Sequence, residues 1–150
     1  MPSLYTITYQ LAAPFVGSSN TIVNVEPATV SVSPTASSKT PPYVAPDPAN
    51  GPTAVKVVGS QSINIVVLNA PGNPNMLYPV GIAVQNPAVR SRPTTIFPTA
   101  TVGTTNPPSM QLTDNAGSDQ SGTSYEFVVL FQDTNGYIGT LDPRITNDAM

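Results

Sequence analysis

The chain has 150 residues, 9% of them charged, with 18 prolines, 10 glycines and no cysteine, tryptophan or histidine. Without cysteine there are no disulfides, thiolate nucleophiles or Cys-ligated zinc and iron–sulfur sites; without histidine, Ser-His-Asp and Cys-His mechanisms and the usual transition-metal ligands go too. A net charge of −3 with only five basic residues argues against a nucleic-acid partner, which needs a dense basic face.

The length suits one domain spanning residues 1–150, able to bury a core without staples. Met1-Pro2-Ser3 leads directly into an alternating stretch rather than a basic and then apolar leader, so no targeting segment is expected and the default location is cytoplasmic. The longest apolar runs, Ile65-Val66-Val67-Leu68 and Phe127-Val128-Val129-Leu130-Phe131, fall far short of the roughly 20 residues of a membrane-spanning helix. No membrane partner is expected.

The period along the chain is two. From Leu4 to Leu11, Tyr5, Ile7, Tyr9 and Leu11 alternate with Leu4, Thr6, Thr8 and Gln10, the pattern of a half-buried strand. Thr21 to Val25 and Thr29 to Ser33 alternate likewise around Glu26-Pro27. The segment from about 33 to 53 carries Pro34, Pro41, Pro42, Pro46, Pro48 and Pro52 and reads as a long Pro-rich surface loop. Ala54 to Val58, Ser62 to Asn69, Met76 to Gln85, Thr94 to Phe97, Tyr125 to Gln132 and Tyr137 to Leu141 are further strands, rich in Val, Ile, Thr and Tyr. Between them lie tight connections at Pro71-Gly72-Asn73-Pro74-Asn75 and Asn106-Pro107-Pro108, and a polar loop from Asp114 to Thr123. Asp133-Thr134-Asn135-Gly136 is the strongest hairpin signal, because Asn-Gly suits the backbone of a tight turn. No window keeps a helical period for three turns. The prediction is an all-β chain, an antiparallel two-sheet sandwich.

Chemistry-bearing clusters are few. Asp114, Asp119 and Asp133 could contribute to a calcium cage, but the required alternation of carboxylates is missing, and the loop reads as a solvated turn. Arg90 and Arg92 read as a strand edge guarded by charge. Most tyrosines fall on apolar strand faces, and Tyr43 is the one expected to touch solvent. The serine and threonine hydroxyls lack a base, since neither Lys39 nor Lys56 sits in a Ser-x-x-Lys frame. No enzyme activity, cofactor or metal is expected.

Two dipeptides stand apart, Glu26-Pro27 and Asp142-Pro143, each placing a carboxylate before a proline at a strand edge. Proline holds its predecessor in extended geometry, and the carboxylate is expected to accept a nearby backbone amide and close the turn. On that reading, removing either carboxylate costs about 1–2 kcal/mol. The competing reading brings Glu26, Asp142 and Arg144 to one site for a cation or polar ligand. With Val25-Glu26-Pro27-Ala28-Thr29 and Gly139-Thr140-Leu141-Asp142-Pro143-Arg144-Ile145, the chain resembles the DP-EP family, small bacterial proteins named for such motifs. The resemblance implies an immunoglobulin-like sandwich with no established activity. A weaker likeness is to inclusion-body proteins of the AidA/PixA type, whose ending carries Trp residues that this chain lacks.

The functional expectation is a non-enzymatic structural or interaction module. The alternative is a lectin-like sandwich that binds a glycan through the Pro-rich loop and the Asp114 to Thr123 loop; the partner, protein or glycan, is left open. On the strand from Tyr125 to Gln132, Tyr125, Phe127, Val129 and Phe131 should face the core. Val128 and Leu130 then point outward, and an apolar outer face needs a covering loop or a second copy. This favours a homodimer.

Overall fold

The alternation at the N-terminus passes directly into structure. In the computed structural model, which describes residues 4–35, 42–85, 100–105, 108–118 and 122–149, strand β1 (Tyr5–Leu11) buries Ile7, Tyr9 and Leu11 and leaves Thr6, Thr8 and Gln10 half-buried. The same holds at β10 (Thr123–Gln132), where Tyr125, Phe127, Val129 and Phe131 are wholly enclosed and the residues between them are not. These two strands come from opposite sheets, and their apolar faces meet in one core cluster.

The first sheet takes the order β3-β1-β6-β9-β8, with β3 at Pro27–Ser33, β6 at Gln61–Leu68, β8 at Ala100–Thr105 and β9 at Pro108–Asp114. The second takes the order β2-β11-β10-β12-β5-β4, with β2 at Val23–Asn24, β4 at Tyr43–Pro46, β5 at Val55–Val58, β11 at Ile138–Leu141 and β12 at Arg144–Asp148. Strand β7 (Tyr78–Gln85) flanks the other side of β10. Two single-turn 3-10 helices, Pro48–Asn50 and Ala116–Ser118, are the helical elements among the described residues, and no helix there is long and apolar enough to cross a membrane.

The all-β expectation and its two sheets stand, but the pairing is mixed rather than antiparallel. β1 runs parallel to β6, β2 to β11 and β5 to β12. Side-chain alternation has the same period in both kinds of ladder, so sequence periodicity carries the buried face but not the strand direction. The direction is set by chain crossings between the sheets. One is the tight turn at Gly59, whose φ of +78° favours glycine and whose N–H donates to the Asp148 carbonyl at 2.9 Å.

The Pro-rich segment differs from its expected form as well. Tyr43–Pro46 is a strand, pairing Tyr43 with Val58 and Val44 with Val57, and Val44 is fully buried. Its position at the sheet edge reconciles proline with pairing, because an edge strand can leave an N–H unused. Tyr43 is half-buried, and its carbonyl accepts from Gln61 Nε2 at 3.1 Å.

The polar loop after β9 begins inside the protein, not at its surface. Asp114 is fully buried, and Asn147 Nδ2 donates to its Oδ1 at 2.9 Å. Thr146 is buried beside it, its hydroxyl 2.9 Å from that of Ser124. The predicted strand from Thr94 to Phe97 and the Arg90, Arg92 and Asp119 positions lie outside the described residues.

Candidate functional site

The strand ends that lead into the two proline dipeptides are neighbours in the second sheet. β2 lies parallel to β11 with Val23 opposite Gly139 and Asn24 opposite Thr140, and the Val25 N–H donates to the Thr140 carbonyl at 2.9 Å. The strand ends leading into Glu26-Pro27 and Asp142-Pro143 are therefore hydrogen-bonded neighbours. Each proline marks a change of partner. After Glu26 the chain leaves the second sheet, and Pro27 pairs with Leu11 in the first.

After Asp142 the chain keeps its register on β10, with Leu141 opposite Val129 and Arg144 opposite Glu126, while its outer neighbour switches from β2 to β5. Pro143 is buried at that switch, and its carbonyl accepts the Phe127 N–H at 2.9 Å.

The carboxylates do not do what the turn-closing expectation asks. Glu26 and Asp142 are both exposed, and among the described residues neither accepts a hydrogen bond. Arg144 turns to Glu126, its cross-strand partner, at 3.9 Å, with both side chains about half exposed. The prolines carry the structural role at these motifs: they lack the N–H that would continue a ladder.

A more enclosed arrangement lies at the hairpin between β10 and β11. Asp133 fixes its tip: Oδ1 accepts the N–H groups of Asn135 and Tyr137, each at 2.9 Å, and the backbone closes through Gly136 N–H to Asp133 O at 3.1 Å. Gly136 has a φ of +88°, a conformation that glycine adopts without steric cost.

The irregular segment between β1 and β2 lies flat on this hairpin. Phe15 meets Phe131 edge-on at 5.0 Å, a favourable aromatic geometry, and its N–H donates to Asn69 Oδ1 at 3.0 Å. Two glycines allow the approach. A Cβ on Gly139 would overlap Phe131 and Phe15, and one on Gly17 would overlap Tyr137.

Beyond Gly17 the segment and the hairpin diverge and enclose a cleft of about 410 Å³, lined by residues 18–22 and 135–138. Ser18, Ser19 and Thr21 bring hydroxyls, Asn20 and Asn135 bring carboxamides, and Tyr137, a residue 37% exposed, brings a phenol ring. None of the lining residues is charged. The Asn20 N–H donates to Ser18 Oγ at 3.3 Å, and Thr140 Oγ1 donates to Asn24 Oδ1 at 3.1 Å just below. The hairpin half of this cleft was legible from Asp133 to Gly136; the facing segment has no periodicity to announce it.

Two other hollows differ in kind. A cleft of about 260 Å³ lies under the connection from Asn69 to Leu77. Its polar centre, Asn69, is occupied in holding the chain: it accepts from Phe15 and Ala70 and donates to the Asn75 carbonyl. A hollow between the β3 and β4 edges is walled by Val30, Val32 and Val44. Among the described residues no three Asp or Glu side chains gather as a metal site would need.

These features define a two-sheet β-sandwich of mixed parallel and antiparallel pairing with a neutral cleft at one hairpin. No protein-family model matches the sequence, and no curated protein matches it.

Proposed function

We propose that the chain is a non-enzymatic interaction module whose contact site is the cleft between residues 18–22 and the hairpin at 135–138. The observation that carries this reading is a site held ready before any partner arrives. Asp133 locks the tip by accepting two backbone N–H hydrogen bonds, and the facing segment is seated at Gly17 and Gly139. Preorganisation of this kind lowers the ordering cost of binding. Two ion pairs lie on the sandwich surface away from the cleft lining, Lys56 with Asp148 at 3.4 Å and Arg144 with Glu126.

The immunoglobulin-like arrangement and membership of the DP-EP family belong to the same proposal, supported by two facing sheets and by the placement of both proline motifs at strand ends. Retention of components from a cell extract on the immobilised chain tests the reading. Retention that Asn20→Ala and Tyr137→Ala abolish is expected, and equal retention on all three refutes it.

A second reading rests on the outer face of β7 and β10. Val128 and Leu130 are half-buried there, and Tyr78 and Val80 on β7 are 36% and 47% exposed. This contiguous apolar face favours a homodimer. Light scattering at tens of micromolar should give twice the chain mass; a monomer mass removes the idea.

A further inference from the structure

Taking the cleft at residues 18–22 and 135–138 as the contact site, we propose that its ligand is a neutral saccharide. This deepens the interaction-module reading and rests on it. No lysine, arginine, aspartate or glutamate faces the cleft, so it offers no counter-charge to a phosphate, a sulfate, a carboxylate or a metal ion. The facing segment, residues 18–21, belongs to no strand. There is thus no row of free backbone groups for an extended peptide to join.

What remains suits a polyol. A carboxamide presents a donor and an acceptor side by side, and a hydroxyl does both through one atom. Asn20 and Asn135 with Ser18, Ser19 and Thr21 can therefore match adjacent hydroxyls of a sugar, each of which also donates and accepts. Tyr137 supplies a flat, partly exposed ring for the C–H face of a pyranose, with a phenolic hydroxyl at its edge. Ile22 and Ile138 complete the apolar part of the wall. A volume of about 410 Å³ lies toward the small end of ligand pockets and admits one or two sugar rings.

The backbone and stem of Tyr137 are held without the ligand's help. Asp133 accepts the Tyr137 N–H, and the Tyr137 stem rests on Gly17. Binding should be weak, with Kd on the order of millimolar for a single hexose, as expected for a small ligand in a shallow site.

A printed array of neutral, sialylated and sulfated oligosaccharides tests the proposal, followed by NMR titration of the best-retained neutral disaccharide. The expected result is retention of neutral glycans, with Tyr137→Ala and Asn20→Ala each weakening the disaccharide at least about tenfold. Tyr137→Phe, which keeps the ring, should lose much less. Asn20 is exposed and Tyr137→Ala keeps the Cβ that meets Gly17, so both variants should retain the wild-type circular dichroism spectrum. Binding confined to charged glycans, binding indifferent to both alanine variants, or no glycan binding overturns the proposal. If no glycan binds while extract retention still depends on Asn20 and Tyr137, the saccharide falls and the interaction module stands. If both fail, both fall.

Discussion

Replacing Tyr9 by phenylalanine should make the protein more stable. Tyr9 is fully buried on β1 between Val30 and Val67, and its hydroxyl has no hydrogen-bond partner among the described residues. Burying an unsatisfied polar group costs about 1–3 kcal/mol, and Tyr9→Phe removes that group while leaving the ring that packs. The lower end applies, because loss of one oxygen also leaves a small gap. A gain of about 1 kcal/mol should raise Tm by roughly 2–4 °C in a chain of this size.

Burial also pushes the Tyr9 phenol pKa upward, since the anion would be desolvated. The sign follows from the proton count. Above the ordinary tyrosine pKa of about 10 the unfolded chain loses this proton and the folded chain keeps it. The stability associated with the neutral phenol is full below that pH and declines as pH rises toward the folded value, by at most about 1.4 kcal/mol per pH unit. Tyr9→Phe abolishes this decline, so its advantage over wild type should widen between pH 10 and 11. Urea unfolding followed by far-UV circular dichroism at pH 7, 10 and 11 measures both effects. A variant less stable than wild type at pH 7 would mean that the hydroxyl is bonded, and a difference unchanged at pH 11 would mean that the phenol is not desolvated; either result refutes the reasoning.

Gly139→Ala should destabilise by about 1–3 kcal/mol in urea, because its methyl group would overlap Phe131 and Phe15; an unchanged midpoint would show that the two rings can part freely. Asn147→Ala should cost about 1–3 kcal/mol, since it removes a donor to the buried Asp114 carboxylate, and a neutral outcome in the same assay would refute that role. Glu26→Ala and Asp142→Ala should each leave the urea midpoint close to wild type, because neither carboxylate accepts a hydrogen bond among the described residues. Coupling between them above about 0.5 kcal/mol in a double-mutant cycle would instead show that the two act together.

Strands are visible in the sequence in two ways, by alternation along one wet face, as in β1 and β10, or by a run of Ile and Val, as in β6, which is buried on both faces from Ile63 to Val67. β1 and β10 show their alternation because Thr6, Thr8 and Glu126 can be polar where Ile7, Tyr9 and Phe127 cannot. β12 hides because both faces are covered: Ile145, Thr146 and Asn147 are all buried, with Thr146 bonded to Ser124 and the Asn147 amide to Asp114. β9 hides in part for the same reason, ending on the buried Asp114. β4 is masked by Pro46 and its proline neighbours, which suggest a loop unless its edge position is known.

The site divides along similar lines. Asp133, Asn135 and Gly136 specify a hairpin locally, and Glu26-Pro27 and Asp142-Pro143 mark chain breaks locally. That Gly17 must lie on Tyr137, or that the two dipeptides end neighbouring strands, depends on contacts between residues more than 100 positions apart, which no local pattern encodes.

The line from Ile138 to Asp148 has a further consequence for the order of assembly. On one side it docks along β10; on the other it receives β2 before the Asp142-Pro143 step and β5 after it. β2 emerges within the first 25 residues of the chain, yet its partner in the sheet is made 116 residues later, the separation of Asn24 and Thr140. During synthesis, β2 and the β4–β5 hairpin must wait without a sheet to join. Such distant pairings are slow to form and leave strand edges open meanwhile. Residues 138–148 thus act as the seam that gathers three earlier pieces of the chain, and the second sheet can be completed only once they have been made rather than built up strand by strand.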